Sequence, residues 1–245
     1  MTKSPRKLSV RPEAQSKLSL WWAPLDIPAS SLARLAGWLS QEERERADGY
    51  HDPLDRDRFM AARGWLRQLL ASQLRCSPNE VRIVTAQNGK PGIESSDLKF
   101  SASRSAGMAL FATSPIAEVG IDIERIRASA DVDIDDITAT FFSAKERAAL
   151  AALPPEQRLA ASFQCWTCKE AYGKGIGTGL SFPIQSIDVW SRNSRVAMVG
   201  EWTIHQVEVT PGFAAAVAGE VLEGWFPTAP RRVEPPDPNP PPAII

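Results

Sequence analysis

The sequence predicts an α+β protein: two similar α/β halves (a pseudo-dimer) in one chain, with the active site in the cleft between them. Two observations predict it. Each half carries a long helical pattern followed by strands. Each set of strands ends in a glycine that enters a strand of small residues, "SAGMALFAT" in the first and "PGFAAAVAG" in the second. A cleft between packed halves is a favoured place for a ligand.

Residues 1–17 are polar and read as a flexible N-terminus. "KLSLWWAPL" (17–25) reads as a strand. Ser30 and Ser31 lead into a short amphipathic helix that runs to Leu39. Ser40 and Glu43 fit a capping box, S-x-x-E. Residues 56–74 form the strongest helix of the first half, because Phe59, Ala62, Leu66, Leu69 and Leu70 recur at helical spacing. "VRIVTAQNGKPGI" reads as a strand and then a turn at Asn88-Gly89 and Pro91-Gly92. "LKFSASRSAGMALFAT" and "AEVGIDIERI" read as two strands, and the acidic stretch 131–136 as a loop. Ser143 and Glu146 make a second capping box. A further helix is expected over 158–173, then strands at "IQSIDVW", "EWTIHQVEV" and "GFAAAVAGE". The expected divisions are a first half over 18–115, a second over 116–225, and a disordered proline-rich tail over 226–245.

Composition excludes more than it selects. The 245 residues are 43% hydrophobic and 23% charged, as in ordinary globular proteins. A net charge of −1 points to no nucleic-acid or membrane partner. The N-terminus has no apolar signal core, and no apolar run approaches the roughly 20 residues that span a bilayer. The three cysteines make no disulfide framework, so the expected setting is the reducing cytoplasm.

The stretch "CWTCKEAYGKGIGTGL" (165–180) offers three chemistries. Cys165 and Cys168 form C-x-x-C, but a structural zinc needs about four ligands, and Cys76, His51 and His205 are scattered. A redox pair sits at a helix N-terminus, whereas these cysteines fall inside a helix already under way. The glycines follow a helix instead of preceding one, so they read as its end and not as a phosphate loop. "DVDIDD" lacks the glycine and glutamate of a calcium loop. "VGIDIE" is more informative. On a strand, Val119, Ile121 and Ile123 face one way, and Asp122 and Glu124 the other. Paired carboxylates suit magnesium, which is commonly held by one or two of them plus substrate phosphates. Glu170 and Lys174 are an i, i+4 pair on a face that begins at Trp166. Glu170 there could complete a cluster of three carboxylates.

"VGIDIE", "FFSAKE", "WTCKEAYGKGIGTGL", "GKP" (89–91) and "FSASRS" (100–105) stand in one order. Together they resemble the signature of the phosphopantetheinyl transferases of the surfactin-synthetase-activating type, over residues 42–219. The resemblance implies a 4′-phosphopantetheinyl transferase, or holo-[acyl-carrier-protein] synthase. Such an enzyme moves the 4′-phosphopantetheine arm of coenzyme A onto a serine of an apo acyl or peptidyl carrier protein, or of a carrier domain of a peptide or polyketide synthase. It releases adenosine 3′,5′-bisphosphate. By resemblance, Asp122, Glu124 and Glu170 hold Mg2+, Glu170 is the general base, and Lys174 contacts phosphate. For coenzyme A, the positions implied are Arg58, Lys90, Pro91, Ser103, Arg104, Asp122 and Lys174. Two residues depart from the pattern: Arg104 stands where histidine is usual, and Gly49 where a basic residue often precedes the aromatic that aligns with Tyr50. Arg44 or Arg46 would substitute for the latter. These departures motivate the alternative of a coenzyme A-binding protein without transfer. Two halves in one chain imply a monomer.

Overall fold

The computed structural model describes residues 18–86, 89–127, 134–181, 183–220 and 229–233. The first half opens on β1 (Ser19–Pro24), in which Leu20 and Ala23 are fully buried. α1 (Ala29–Ala36) follows. α2 (Gln41–Asp48) starts at the predicted capping box: Glu43 N–H donates to Ser40 Oγ at 3.2 Å, and Ser40 N–H donates to Glu43 Oε2 at 2.9 Å. α3 (Pro53–Leu74) begins three residues before the expected start. The reason is local: Asp52 caps Leu54 N–H at 2.8 Å, and a proline suits the first helical position. β2 (Ile83–Thr85), β3 (Pro91–Ile93), β4 (Lys99–Ser105) and β5 (Met108–Ser114) complete this half.

The second half runs through β6 (Val119–Arg125), α4 (Ile134–Phe141), α5 (Ala144–Ala151), α6 (Pro155–Ile176), β7 (Val196–Val199), β8 (Trp202–Gln206) and β9 (Phe213–Glu220). β10 (Arg231–Arg232) returns to the first half. One sheet has the order β10-β1-β5-β4, another β6-β9-β8-β7, and β2 and β3 form a small hairpin sheet.

Strand alternation builds the layers. Ala109 and Phe111 of β5 pack with Trp65, Leu66 and Leu70 of α3. Leu110 and Ala112 face the opposite way, against Val119, Ile121, Ile123 and Val217 of the other sheet. Ala216 and Ala218 of β9 pack under α6, with Cys165, Cys168 and Ala171. Each large sheet therefore carries its long helix on one face and the other sheet on the opposite face.

Four elements differ from expectation. "LKFSASRSAGMALFAT" is a hairpin, β4 and β5, turned at Ala106-Gly107, where Ala106 adopts φ +49°. "IQSIDVW" joins no sheet; Lys169 collects its carbonyls instead. β7, too short and polar-flanked to stand out in the sequence, is the edge strand in its place. α4 starts at Ile134, within the acidic stretch read as a loop.

The expected disordered tail is corrected at 229–233. Arg231 and Arg232 pair in parallel with Trp21 and Trp22. Their guanidiniums lie 4.2 Å and 5.5 Å from those rings. Val233 N–H donates to Trp22 O at 2.9 Å, and its side chain enters the first half's core. Proline content could not reveal this, because the ordering comes from the free edge of β1 and its two tryptophans. The expected N-terminal flexible segment and the remainder of the tail lie outside the described residues. Among the described residues, no helix is long and apolar enough to cross a membrane.

Candidate active site

β6 carries Asp122 and Glu124 on the face opposite its valine and isoleucines, as alternation requires. That face is covered. A Cβ on Gly120 would lie 2.0 Å from Ala171 O and 2.3 Å from Gly175 N, so α6 rests directly on the backbone of β6. The contact brings the helix residues Glu170 and Lys174 over the strand carboxylates. Lys174 Nζ donates to Asp122 Oδ1 at 2.6 Å and to Ser103 Oγ at 3.1 Å. Ser103 Oγ donates to the same Asp122 oxygen at 2.7 Å. Ser105 Oγ donates to Glu124 Oε2 at 2.7 Å.

The electrostatics show carboxylates held close together. Burial, and then the charge of Asp122, push Glu170 up to about 7; Lys174 opposes the rise. Burial also raises Glu124, against the hydrogen bond from Ser105, with Asp122 adding to the rise. Asp122 is 2% exposed, and its Oδ2 is buried without a hydrogen-bond partner. Among the described residues, no group of three or more His, Cys, Asp or Glu side chains is arranged so that it could hold a metal ion as it stands. The donor types nonetheless suit a hard divalent cation: three carboxylates, one with an orphaned buried oxygen, two raised first by burial and further by the charge of Asp122.

The residues expected around coenzyme A divide into three groups. Arg104 Nη2 donates to Tyr50 Oη at 2.8 Å, and its guanidinium lies 5.8 Å from the Phe59 ring. Arg46 lies 5.4 Å from the same ring, so two arginines flank Phe59. Arg44, by contrast, is tied to the carbonyls of Leu39 and Gly37. Arg58 makes a two-pronged ion pair with Asp26, at 2.7 Å and 2.9 Å. Lys90 Nζ bridges the halves, to Glu118 at 2.6 Å and to Gly175 O at 2.5 Å. A cavity of about 360 Å3 lies where the halves meet, lined by Lys90, Pro91, Phe100, Lys174, Gly177 and Thr178.

The glycines of "GKGIGTGL" are structural. Gly177 caps α6 at φ +76°, a left-handed conformation that suits glycine. Gly175 leaves room for the Trp202 ring, which a Cβ would meet at 2.4 Å. Cys165 and Cys168 are buried in the second half's core. Burial, and then the charge of Glu146, raise both thiols well above their ordinary range. Thiolate is the reactive form. In the native protein, a thiol-titrating disulfide reagent is therefore expected to modify no more than half-exposed Cys76, and all three cysteines only in denaturant. Rapid native modification of Cys165 or Cys168 would contradict this.

Sequence reasoning gave Lys169 no role, yet it is fully buried. Nζ donates to Glu146 Oε2 at 2.8 Å, Ile184 O at 2.8 Å and Ile187 O at 2.6 Å. Its signal in the sequence was its place four residues after Cys165, on an apolar face.

Comparison with known proteins identifies the family. A profile of the 4′-phosphopantetheinyl transferase superfamily matches residues 118–218. The 4′-phosphopantetheinyl transferase HetI of Nostoc sp. is 34% identical over 86% of this chain and 90% of its own. The chain belongs to the 4′-phosphopantetheinyl transferase superfamily. The 4′-phosphopantetheinyl transferase Sfp of Bacillus subtilis is 28% identical over 75% of this chain and 83% of its own. A human relative, L-aminoadipate-semialdehyde dehydrogenase-phosphopantetheinyl transferase, is 29% identical over 61% of this chain and 52% of its own. The protein is an enzyme of this transferase class, and the superfamily transfers phosphopantetheine from coenzyme A to carrier proteins.

Proposed function

We propose that the protein moves the 4′-phosphopantetheine arm of coenzyme A onto the serine of an apo acyl or peptidyl carrier protein, or of a carrier domain of a peptide or polyketide synthase, and that it requires Mg2+. The convergence of Asp122, Glu170 and Lys174 across the β6–α6 contact, with Glu124 on the same strand face, carries the reading. Asp122, Glu124 and Glu170 would hold the ion. When bound there, magnesium supplies Lewis-acid neutralisation of the diphosphate. Glu170 takes the proton from the carrier serine, whose oxygen bonds to the pantetheine-side phosphorus. The phosphorus–oxygen bond to the other phosphate breaks, and adenosine 3′,5′-bisphosphate leaves with that electron pair. Lys174 stabilises charge on the phosphates. Arg104 and Arg46, flanking Phe59, suit the 3′-phosphate. An arginine fork binds phosphate at any working pH, so Arg104 in the usual histidine place is compatible with transfer. Lys90 and Pro91, which line the cavity between the halves, would lie beside the adenine nucleotide, and Ser103 would join Arg104 at the 3′-phosphate. Arg58 reaches a phosphate only by exchanging Asp26 for it. The enzyme acts as a monomer, because one chain supplies both walls of the cleft, and in the cytoplasm, which its free cysteines suit.

The test incubates the protein with coenzyme A, Mg2+ and several apo carrier proteins, then weighs each carrier. The expected result is one added phosphopantetheine mass, lost when the metal is chelated. Tight coenzyme A binding without transfer to any carrier would favour a purely binding role instead.

A further inference from the structure

β4 and β6 lie side by side where the halves meet, yet they belong to different sheets. Serine side chains join them. "KFSASRS" places Ser101, Ser103 and Ser105 at alternate positions, so all three face the second half. Ile121 N–H donates to Ser101 Oγ at 3.1 Å. Ser103 Oγ donates to Asp122 at 2.7 Å. Ser105 Oγ accepts from Arg125 N–H at 3.0 Å and donates to Glu124 Oε2 at 2.7 Å. The three contacts advance in step along both strands.

Ser105 differs from Ser103 in the group it accepts from: the backbone N–H of Arg125, where Ser103 accepts from the Lys174 side chain. A hydroxyl has one proton to give and lone pairs to receive. The backbone N–H of Arg125 occupies a lone pair, which turns the single proton toward Glu124. One carboxylate oxygen is thereby fixed, and with it the direction of the whole group. Glu124 is half-buried on the same strand face as Asp122, whose charge repels it, and the Ser105 bond fixes its orientation against that repulsion. We propose that Ser105 is a positioning residue for Glu124: it sets this carboxylate for a divalent cation shared with Asp122 and Glu170. The first half thus governs cation binding by the second. The inference rests on the metal-dependent transfer proposed above.

Mn2+ is the probe, followed by electron paramagnetic resonance as it is titrated into the full chain with coenzyme A present. Ser105→Ala is expected to weaken Mn2+ binding by roughly 10–100-fold, the usual effect of losing a group that orients a metal ligand. Transfer lost at low Mg2+ should return at high Mg2+. Ser105→Thr, which keeps the hydroxyl, should restore affinity. Ser101→Ala touches only the backbone of Ile121, so it should lower the melting temperature and leave Mn2+ affinity unchanged. If Ser105→Ala does not fold, Ser105→Cys carries the same test, since a thiol is the weaker donor; it too should bind Mn2+ more weakly than the parent. Parental Mn2+ affinity in the Ser105 variant, beside an active parent, overturns the positioning role alone. Equal weakening by Ser101→Ala assigns the effect to the whole seam and also overturns it. A parent that binds no Mn2+ overturns both this role and the metal requirement, and a parent that never modifies a carrier overturns the transfer reading itself.

Discussion

Glu170→Gln is expected to abolish transfer while leaving the fold intact. The substitution keeps the size of the side chain and removes its ability to take a proton. General bases contribute roughly 10²–10⁴-fold to rate. Loss of a carboxylate beside Asp122 and Glu124 weakens cation binding as well, so the fall should sit at the upper end of that range. Carrier mass measured over time is the check, and near-parental turnover would remove Glu170 from the mechanism. The same variant should be more stable than the parent in a chelating buffer at pH 8. The sign follows from the raised carboxyl. In the folded chain Glu170 holds its proton up to about pH 7, against an ordinary value near 4.5. Its favourable contribution is fully present below pH 4.5 and is lost between 4.5 and 7. Above that window the folded state carries an ion it disfavours, at a cost of at most on the order of 3 kcal/mol. Glutamine removes the cost. The two melting temperatures should converge as the pH falls toward 4.5. A parent that stays the more stable at pH 8 would show that Glu170 is not under strain. Activity held at the expense of stability is a common feature of catalytic sites.

Lys169→Met should produce the largest loss of stability, about 3–5 kcal/mol. Lys169 is completely buried, and all three of its protons are used, on Glu146, Ile184 O and Ile187 O. Glu146 is equally engaged: it accepts from Ser143 N–H at 2.9 Å and Val189 N–H at 2.8 Å. Removing the lysine leaves a buried carboxylate without its cation, takes the lysine proton from Ile187 O, and leaves Ile184 O with only the long 3.5 Å bond from Ile187 N–H. The pair ties α5, α6 and residues 184–189 together, directly beside Glu170 in sequence. Chemical denaturation measures the loss. A shift below about 1 kcal/mol, the scale of an ordinary substitution, would mean that water replaces the lysine. Activity should fall only as the folded fraction falls, which separates Lys169 from its catalytic neighbour.

These two residues show how far the sequence could be read. "KE" in "WTCKEAY" is two adjacent charges. Spacing from Trp166 and Lys174 drew attention to the glutamate. Nothing nearby identified the lysine's partners, which lie 15 to 23 positions away. The serines of "FSASRS" are similar. Their alternation was visible, but that their partners were Ile121, Asp122 and Glu124 was not. Arg58 and Arg104 were both legible as phosphate ligands only through resemblance. The fold gives them different neighbours, Asp26 for one and Tyr50 for the other.

By itself the sequence determined both capping boxes, the two long helices, the alternating face of β6 and the set of residue types that suits metal-assisted phosphoryl transfer. Each depends on neighbours within a few positions, where hydrogen bonding and side-chain periodicity are decided locally. The tertiary structure alone decided that α6 lies on Gly120 closely enough to bring Lys174 to Asp122 and to crowd Glu170 toward the strand carboxylates. It alone also decided that a tail rich in proline closes the free edge of β1, and that the two halves are joined by serine hydroxyls. Those outcomes rest on contacts between residues far apart in the chain, whose partners are chosen by packing and burial rather than by spacing.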